Sequence, residues 1–277
     1  MHFLMILLTL TIAYVVRQLA PTVTRKLAFF NFLFPPLLLL TTAVAIASMG
    51  PNGKMLGLQA TWFSYYLACA YLLIVMSLLI KLGYQAWVQT QKISTYPQIY
   101  LFNQPVYLLE TDFPYCAQIG VWRSQIILTQ GLLDLLNPEE LKAVLAHEQA
   151  HQLYHDNFWF FWLSWLRNST PWLPHGESLW QELLLWRELR ADAWGVQQVG
   201  GLAIAEALLK VAQKVHNYLL SKPQLTFSVE LSDGNNQRLE QRIDALLSDY
   251  PREGQLKWYL SGIIASLLPI LTILLHH

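Results

Sequence analysis

Apolar positions run almost unbroken from Met1 to Val16, and the first positive charges, Arg17, Arg25 and Lys26, follow the run instead of preceding it. That order is the reverse of a cleaved signal peptide and predicts a membrane helix. A second run, Leu27 to Met49, is long enough to cross a hydrocarbon core of about 30 Å at about 1.5 Å per residue, and a third extends from Trp62 to Ile80. Pro35 and Pro36 interrupt the second run. This predicts a kinked membrane helix whose freed backbone groups are met by neighbouring helices, with a hinge or substrate entry point as the functional alternative. A fourth run, Trp258 to Leu275, opens on Trp258 and Tyr259, ring types that gather at a bilayer surface.

The charges between these runs orient them. Arg17, Arg25 and Lys26 fall in the loop after the first, Lys81 and Lys92 follow the third, and Arg252 and Lys257 precede the fourth. Positive charge collects on the cytoplasmic side, so the N-terminus and the loop around Pro51 to Lys54 are expected outside. The segment from Lys81 to Lys257 is expected inside. The implied division is three transmembrane helices in residues 1–82, a cytoplasmic domain in 83–256 and a last transmembrane helix in 257–277.

Within the cytoplasmic segment the period changes. Short β-rich pieces, Ile99 to Leu101, Val106 to Leu109, Ala117 to Trp122 and Gln125 to Leu128, are separated by turn residues and predict a small sheet. Asn137, Pro138 and Glu140 together form a strong helix start. The aromatic stretch Asn157 to Leu166 reads as a helix at the membrane surface, or as a core helix packed on the sheet. Helical patterns follow over Glu177 to Gln198, closed by Gly200 and Gly201, and over Ala203 to Leu220 and Asn235 to Leu247. The fold class is therefore α+β, mainly helical: a multi-pass membrane protein carrying a small-sheet cytoplasmic domain.

Composition agrees with a chain that needs lipid or a partner, since 54% of residues are hydrophobic and only 13% are charged. Lys plus Arg and Asp plus Glu are equal at 18 each, so nothing in the charge calls for nucleic acid. Cys69 and Cys116 are expected as free thiols, and neither as a metal ligand.

The candidate chemistry lies in His147-Glu148-Gln149-Ala150-His151. Residues four apart on a helix share a face, so both imidazoles can reach one zinc ion, while Glu148 can take a proton from an attacking water. A catalytic zinc wants a third protein ligand. Glu188 can supply it, and Asp192, one turn later, can accept the other ring N–H of a ligand histidine. The exposed-face alternative pairs Glu188 with Arg187 or Arg190. His155 and Asp156 read as helix-end residues or as supports of the ligands.

The run from Gly120 to Leu136 together with Asn137 to His151 resembles the integral-membrane gluzincin peptidases. It is most similar to the beta-lactam-sensor (BlaR-type) peptidases, and next to the HtpX and CAAX-prenyl-protease type. The likeness covers Gln98 to Gln198. It implies a zincin-like domain, an endopeptidase activity, a third zinc-binding glutamate in a Glu-x-x-x-Asp motif matched by Glu188 and Asp192, and an aspartate matched by Asp156. The sensor type is favoured by a Gly-x-x-Arg-x-x-Ile-x-Leu strand and by the count of membrane helices. Where the HtpX type usually has Asn-Ala-Phe, this chain reads Tyr115-Cys116-Ala117-Gln118. The sequence stops at His277 without an extracellular drug-binding domain, so direct sensing of a β-lactam is not expected.

The functional expectation is a zinc endopeptidase in the bilayer, with His147, His151 and Glu188 as ligands and Glu148 as general base and proton donor. His175, Arg187, Arg190 and Arg242 are the oxyanion candidates. An extended substrate can add to the strand near Ala117 to Trp122. The sensor likeness points to a cytoplasmic repressor as substrate. The rivals are HtpX-type quality control of membrane proteins and a scaffold that keeps its metal for structure.

Overall fold

A computed structural model describes residues 2–20, 27–52, 54–55, 58–221, 230–247, 264, 266–271 and 273. The chain is mainly helical with a small sheet. Its first elements are α1 (His2–Gln18), α2 (Ala28–Met49), the short pair β1 (Lys54–Met55) and β2 (Leu58–Gln59), and α3 (Trp62–Ile93). Then come β3 (Gln98–Leu101), β4 (Gln104–Leu109), β5 (Cys116–Ile119) and β6 (Gln125–Thr129). The remaining helices are α4 (Gln130–Leu135), α5 (Pro138–Leu153), α6 (Asp156–Ser169), α7 (Gly176–Val199), α8 (Gly201–Ser221), α9 (Glu230–Leu247) and α10 (Leu268–Leu271). Two compact units form: residues 1–83, 161–184 and 253–277 make one, and 84–160 with 185–252 the other.

In the first unit α1 packs along α2, and Ala13 of α1, Ala43 of α2 and Ala68 of α3 are buried in its clusters, where small residues let helix backbones approach. Helix α2 runs unbroken through Pro35 and Pro36. A proline at position 36 has no N–H for the carbonyl of Phe32. Arg17 supplies the missing donor: its Nη2 bonds that oxygen at 3.1 Å, and its guanidinium lies 5.4 Å from the centre of the Phe32 ring. Arg17, counted above among loop charges, is thus buried in the last turn of α1. Arg25, Lys26, Arg252 and Lys257 lie outside the described residues. So does most of the fourth apolar run, of which α10 is the described helix.

Helices α2 and α3 are each long and apolar enough to cross a membrane, and α1, at 17 residues, is shorter. The third run was expected to end at Ile80, yet α3 continues for 32 residues to Ile93. Polarity rises after Lys81, but the helix passes through Gly83 and no proline arrives before Pro97. The loss of hydrophobicity marks where lipid can end, not where the helix does.

The sheet of the second unit has the order β3-β4-β6-β5. Strands β3 and β4 are antiparallel and joined by Phe102 and Asn103, both at positive φ, as a two-residue hairpin turn requires. Strand β6 runs parallel to β4 and antiparallel to β5, which leaves β5 on an edge. The piece expected to reach Trp122 stops at Ile119. Gly120 turns the chain at φ +112°, and a Cβ there would meet the Arg123 carbonyl oxygen at 2.5 Å. Val106, Ile126 and Leu128 pack against Leu132 and Leu136 and against Leu141 and Leu145 of α5, forming the core on which the candidate site rests.

Candidate metal centre

Helix α5 is fixed at its start. Asn137 Oδ1 accepts from the amides of Glu139 and Glu140 at 3.0 and 2.9 Å, and Glu140 Oε2 accepts from the Asn137 amide at 3.0 Å. Lys210 of α8 pairs with the other oxygen of the buried Glu140. From this anchored end the helix carries His147, Glu148 and His151 inward, and all three are buried or nearly so. It stops at Leu153, and His155, at φ +53°, turns the chain straight into α6. That reversal brings Asp156 back over the last turn of α5, where Oδ2 lies 2.7 Å from His151 Nδ1.

Helix α7 contributes Glu188 and, one turn later, Asp192, whose Oδ1 lies 2.7 Å from His147 Nδ1. Arg242 of α9 grips Asp192 with a two-pronged contact, Nε to Oδ2 at 2.7 Å and Nη2 to Oδ1 at 2.8 Å, and its Nη1 is 3.4 Å from Glu188 Oε2. Arg190 plays the corresponding part on Asp156. Each histidine is therefore backed by a carboxylate, and each carboxylate is held by an arginine.

Three ligand side chains converge on one point. His147 Nε2 lies 3.1 Å from His151 Nε2 and 3.2 Å from Glu188 Oε2, and His151 Nε2 lies 3.8 Å from Glu188 Oε1. An ionised carboxylate only accepts hydrogen bonds, so both Nδ1 atoms carry hydrogen, and in the neutral rings both Nε2 atoms turn lone pairs towards each other. Lone pairs facing a carboxylate need a positive charge between them. Burial pushes the His147 imidazole down, but Asp192 and Glu188 outweigh it and raise it from 6.5 to about 9, so in the metal-free chain a proton meets the need. Burial likewise works against Glu188, yet His147 and the Arg242 and Arg187 charges hold its carboxyl well below the usual range. Asp192 is also lowered, against its burial, by Arg242 and His147. A tetrahedral zinc about 2.05 Å from two nitrogens would set them about 3.3 Å apart. The spacing found and the nitrogen and oxygen donor set fit such an ion.

A cavity of about 220 Å³ opens on this cluster, with Glu148, Arg242 and the facing sides of His147 and Glu188 on its polar wall. Cys116, Leu132, Val144 and Leu208 form part of its apolar wall. Burial and the nearby Glu148 push the Cys116 thiol well up, which keeps it protonated; both cysteines are free.

Of the four oxyanion candidates named from the sequence, Arg242 lines the cavity. Arg187 lies on Glu188 and over the Phe160 ring, and Arg190 lies on Asp156 and over Tyr154. His175 belongs to the other unit, in the turn before α7. Sequence reasoning missed two residues that tie the edge strand to the site. Gln118 Nε2 donates to the Glu148 carbonyl at 2.7 Å, and Asn157 Nδ2 donates to the carbonyls of Gln118 and Gly120 at 2.9 and 3.1 Å. The one sequence signal for Asn157 was its position directly after Asp156.

Residues 86–167 match the family model of peptidase family M48, a metallopeptidase family, and this supports a protease. The match ends before α7 and so does not reach Glu188, Asp192 or Arg242. A protease HtpX homolog of Thermoplasma acidophilum is 40% identical over 53 residues, 18% of this chain. The chain spans 17% of the length of that curated relative. No solved structure matches. The relative and the two long apolar helices together suggest association with a membrane.

Proposed function

We propose that the chain is a membrane-anchored, zinc-dependent endopeptidase. The observation that carries this is the convergence of His147 Nε2, His151 Nε2 and the Glu188 carboxylate, with both Nδ1 atoms committed to aspartates. His147, His151 and Glu188 would hold the ion, and Asp192 and Asp156 would orient the two rings. Zinc held there supplies a Lewis acid for the scissile carbonyl and makes water easier to deprotonate near neutral pH. Glu148, on the cavity wall beside His147, takes the proton of the attacking water and passes it to the leaving amine nitrogen. Arg242 is the cation placed to face the oxyanion, while its other N–H groups hold Asp192.

In this reading residues 1–82 and 257–277 hold the enzyme in the bilayer, and residues 83–256 form the peptidase domain on the cytoplasmic side. The sensor-type likeness favours a repressor as substrate. The HtpX-type likeness, with which the 53 residues shared with a protease HtpX homolog agree, favours membrane proteins instead. Detergent-purified protein and its Glu148→Gln variant, compared for zinc content and casein cleavage, test the enzyme reading. Zinc in both with cleavage only by the wild type supports it. Zinc in both with cleavage in neither favours the scaffold. Loss of the protein from cells then separates the substrates: a changed transcript points to a repressor, and accumulating membrane proteins point to quality control.

A further inference from the structure

The edge strand is open to a partner chain along only part of its length. Thr129 donates its amide to the Tyr115 carbonyl, so in this antiparallel pair positions 115, 117 and 119 turn their backbone groups towards β6. Positions 116, 118 and 120 turn theirs outward. An extended peptide that adds to β5 must use those outward groups. Asn157 already uses two of them, because its Nδ2 donates to the Gln118 and Gly120 carbonyls. Among the described residues, what remains outward is the amide and carbonyl of Cys116 and the amides of Gln118 and, past the strand end, Gly120. Cys116 is also the residue of β5 that lines the cavity over His147 and Glu148.

We propose that Asn157 is a strand-end stop that sets the register of the substrate. Its side-chain amide stands in for the backbone N–H of a pairing chain, and so ends the substrate ladder at Gln118. Two further contacts keep the open segment fixed against the reacting groups. Gln118 ties β5 to the Glu148 carbonyl, and Asp156, the residue before Asn157, is bonded to His151. A substrate strand is held to the Cys116 end and meets the ion with a fixed bond. Asn157 is thus a positioning residue and touches no reacting atom. This inference rests on the peptidase reading above.

The test maps, by mass spectrometry, the bonds cut in casein by the full-length wild type, Asn157→Ala and Asn157→Asp. It also measures KM and kcat on synthetic peptides that are short or lengthened by two residues on either side of the cut bond. Asn157→Asp keeps the side chain's size while removing its donors, which covers the case in which the alanine variant fails to fold. The expected result is a new set of cut bonds in the variants. With it should come a fall of roughly three- to tenfold in the ratio of KM for lengthened to short peptides, on one side only, since one or two backbone hydrogen bonds become available. Zinc content should match the wild type. An unchanged cleavage map and an unchanged KM ratio in both variants overturn the stop. A wild type that binds zinc and cuts nothing overturns the peptidase reading and the inference with it.

Discussion

Asp192, on α7, holds the Nδ1 of His147, on α5, at 2.7 Å across 45 positions of sequence. The contact fixes which ring nitrogen faces the convergence point. Replacing Asp192 by Asn keeps the shape and removes the charge, and zinc affinity should fall about 10- to 100-fold. Competition against a chelator measures it. An affinity equal to the wild type would mean that the ring is oriented by packing alone.

Glu148→Gln should lower peptide cleavage by at least about a hundredfold with the zinc content intact. Glu188→Gln should do the reverse in order, losing metal first and activity as a result. Metal analysis and casein hydrolysis of both variants separate the two roles. Full activity in the Glu148→Gln protein would remove Glu148 from the mechanism.

The metal-free protein should lose stability as the medium becomes alkaline. His147 moves from 6.5 to about 9 because Asp192 and Glu188 outweigh its burial. A raised value stabilises the fold in full below pH 6.5 and is lost as pH climbs through about 9. Thermal unfolding with a chelator present should therefore show Tm falling across that window. With saturating zinc the fall should disappear, because a ligated nitrogen carries no proton. A chelated protein whose Tm rises over the same range contradicts the assignment.

Asn137→Ala removes the acceptor of two amides at the head of α5 and should cost about 1 kcal/mol. Denaturant unfolding in detergent measures it. Because the cap lies ten residues before His147, zinc binding should weaken less than in the Asp192→Asn protein.

Short-range spacing made parts of this molecule legible. His147 and His151 share a face because four residues make about one turn, and Asn137 with Glu140 marks a helix start for the same local reason. Glu188 and Asp192 stood out as charges inside an apolar helix. The rest depends on distance along the chain. The grip of Arg242 on Asp192 joins positions 50 apart, and the hold of Asn157 on Gln118 joins positions 39 apart, and neither leaves a periodic trace. Helix α3 outran its hydrophobic stretch because helix length and lipid contact end for different reasons. The helix α4 went unseen because six residues make fewer than two turns, too few for a periodic pattern to show. It seats Gly131 where a Cβ would fall 2.1 Å from the Asp112 carbonyl oxygen.

The bond between Arg17 and the Phe32 carbonyl makes Pro36 and Arg17 a single unit of variation. Leucine at position 36 would return to Phe32 its helical donor and leave the buried cation to share an oxygen that the proline had kept for it. Leucine at position 17 would strand a carbonyl that the proline has already left without a donor. Neither site can drift alone without cost, so a residue usually regarded as a helix breaker is here what lets an arginine remain inside an apolar helix pair.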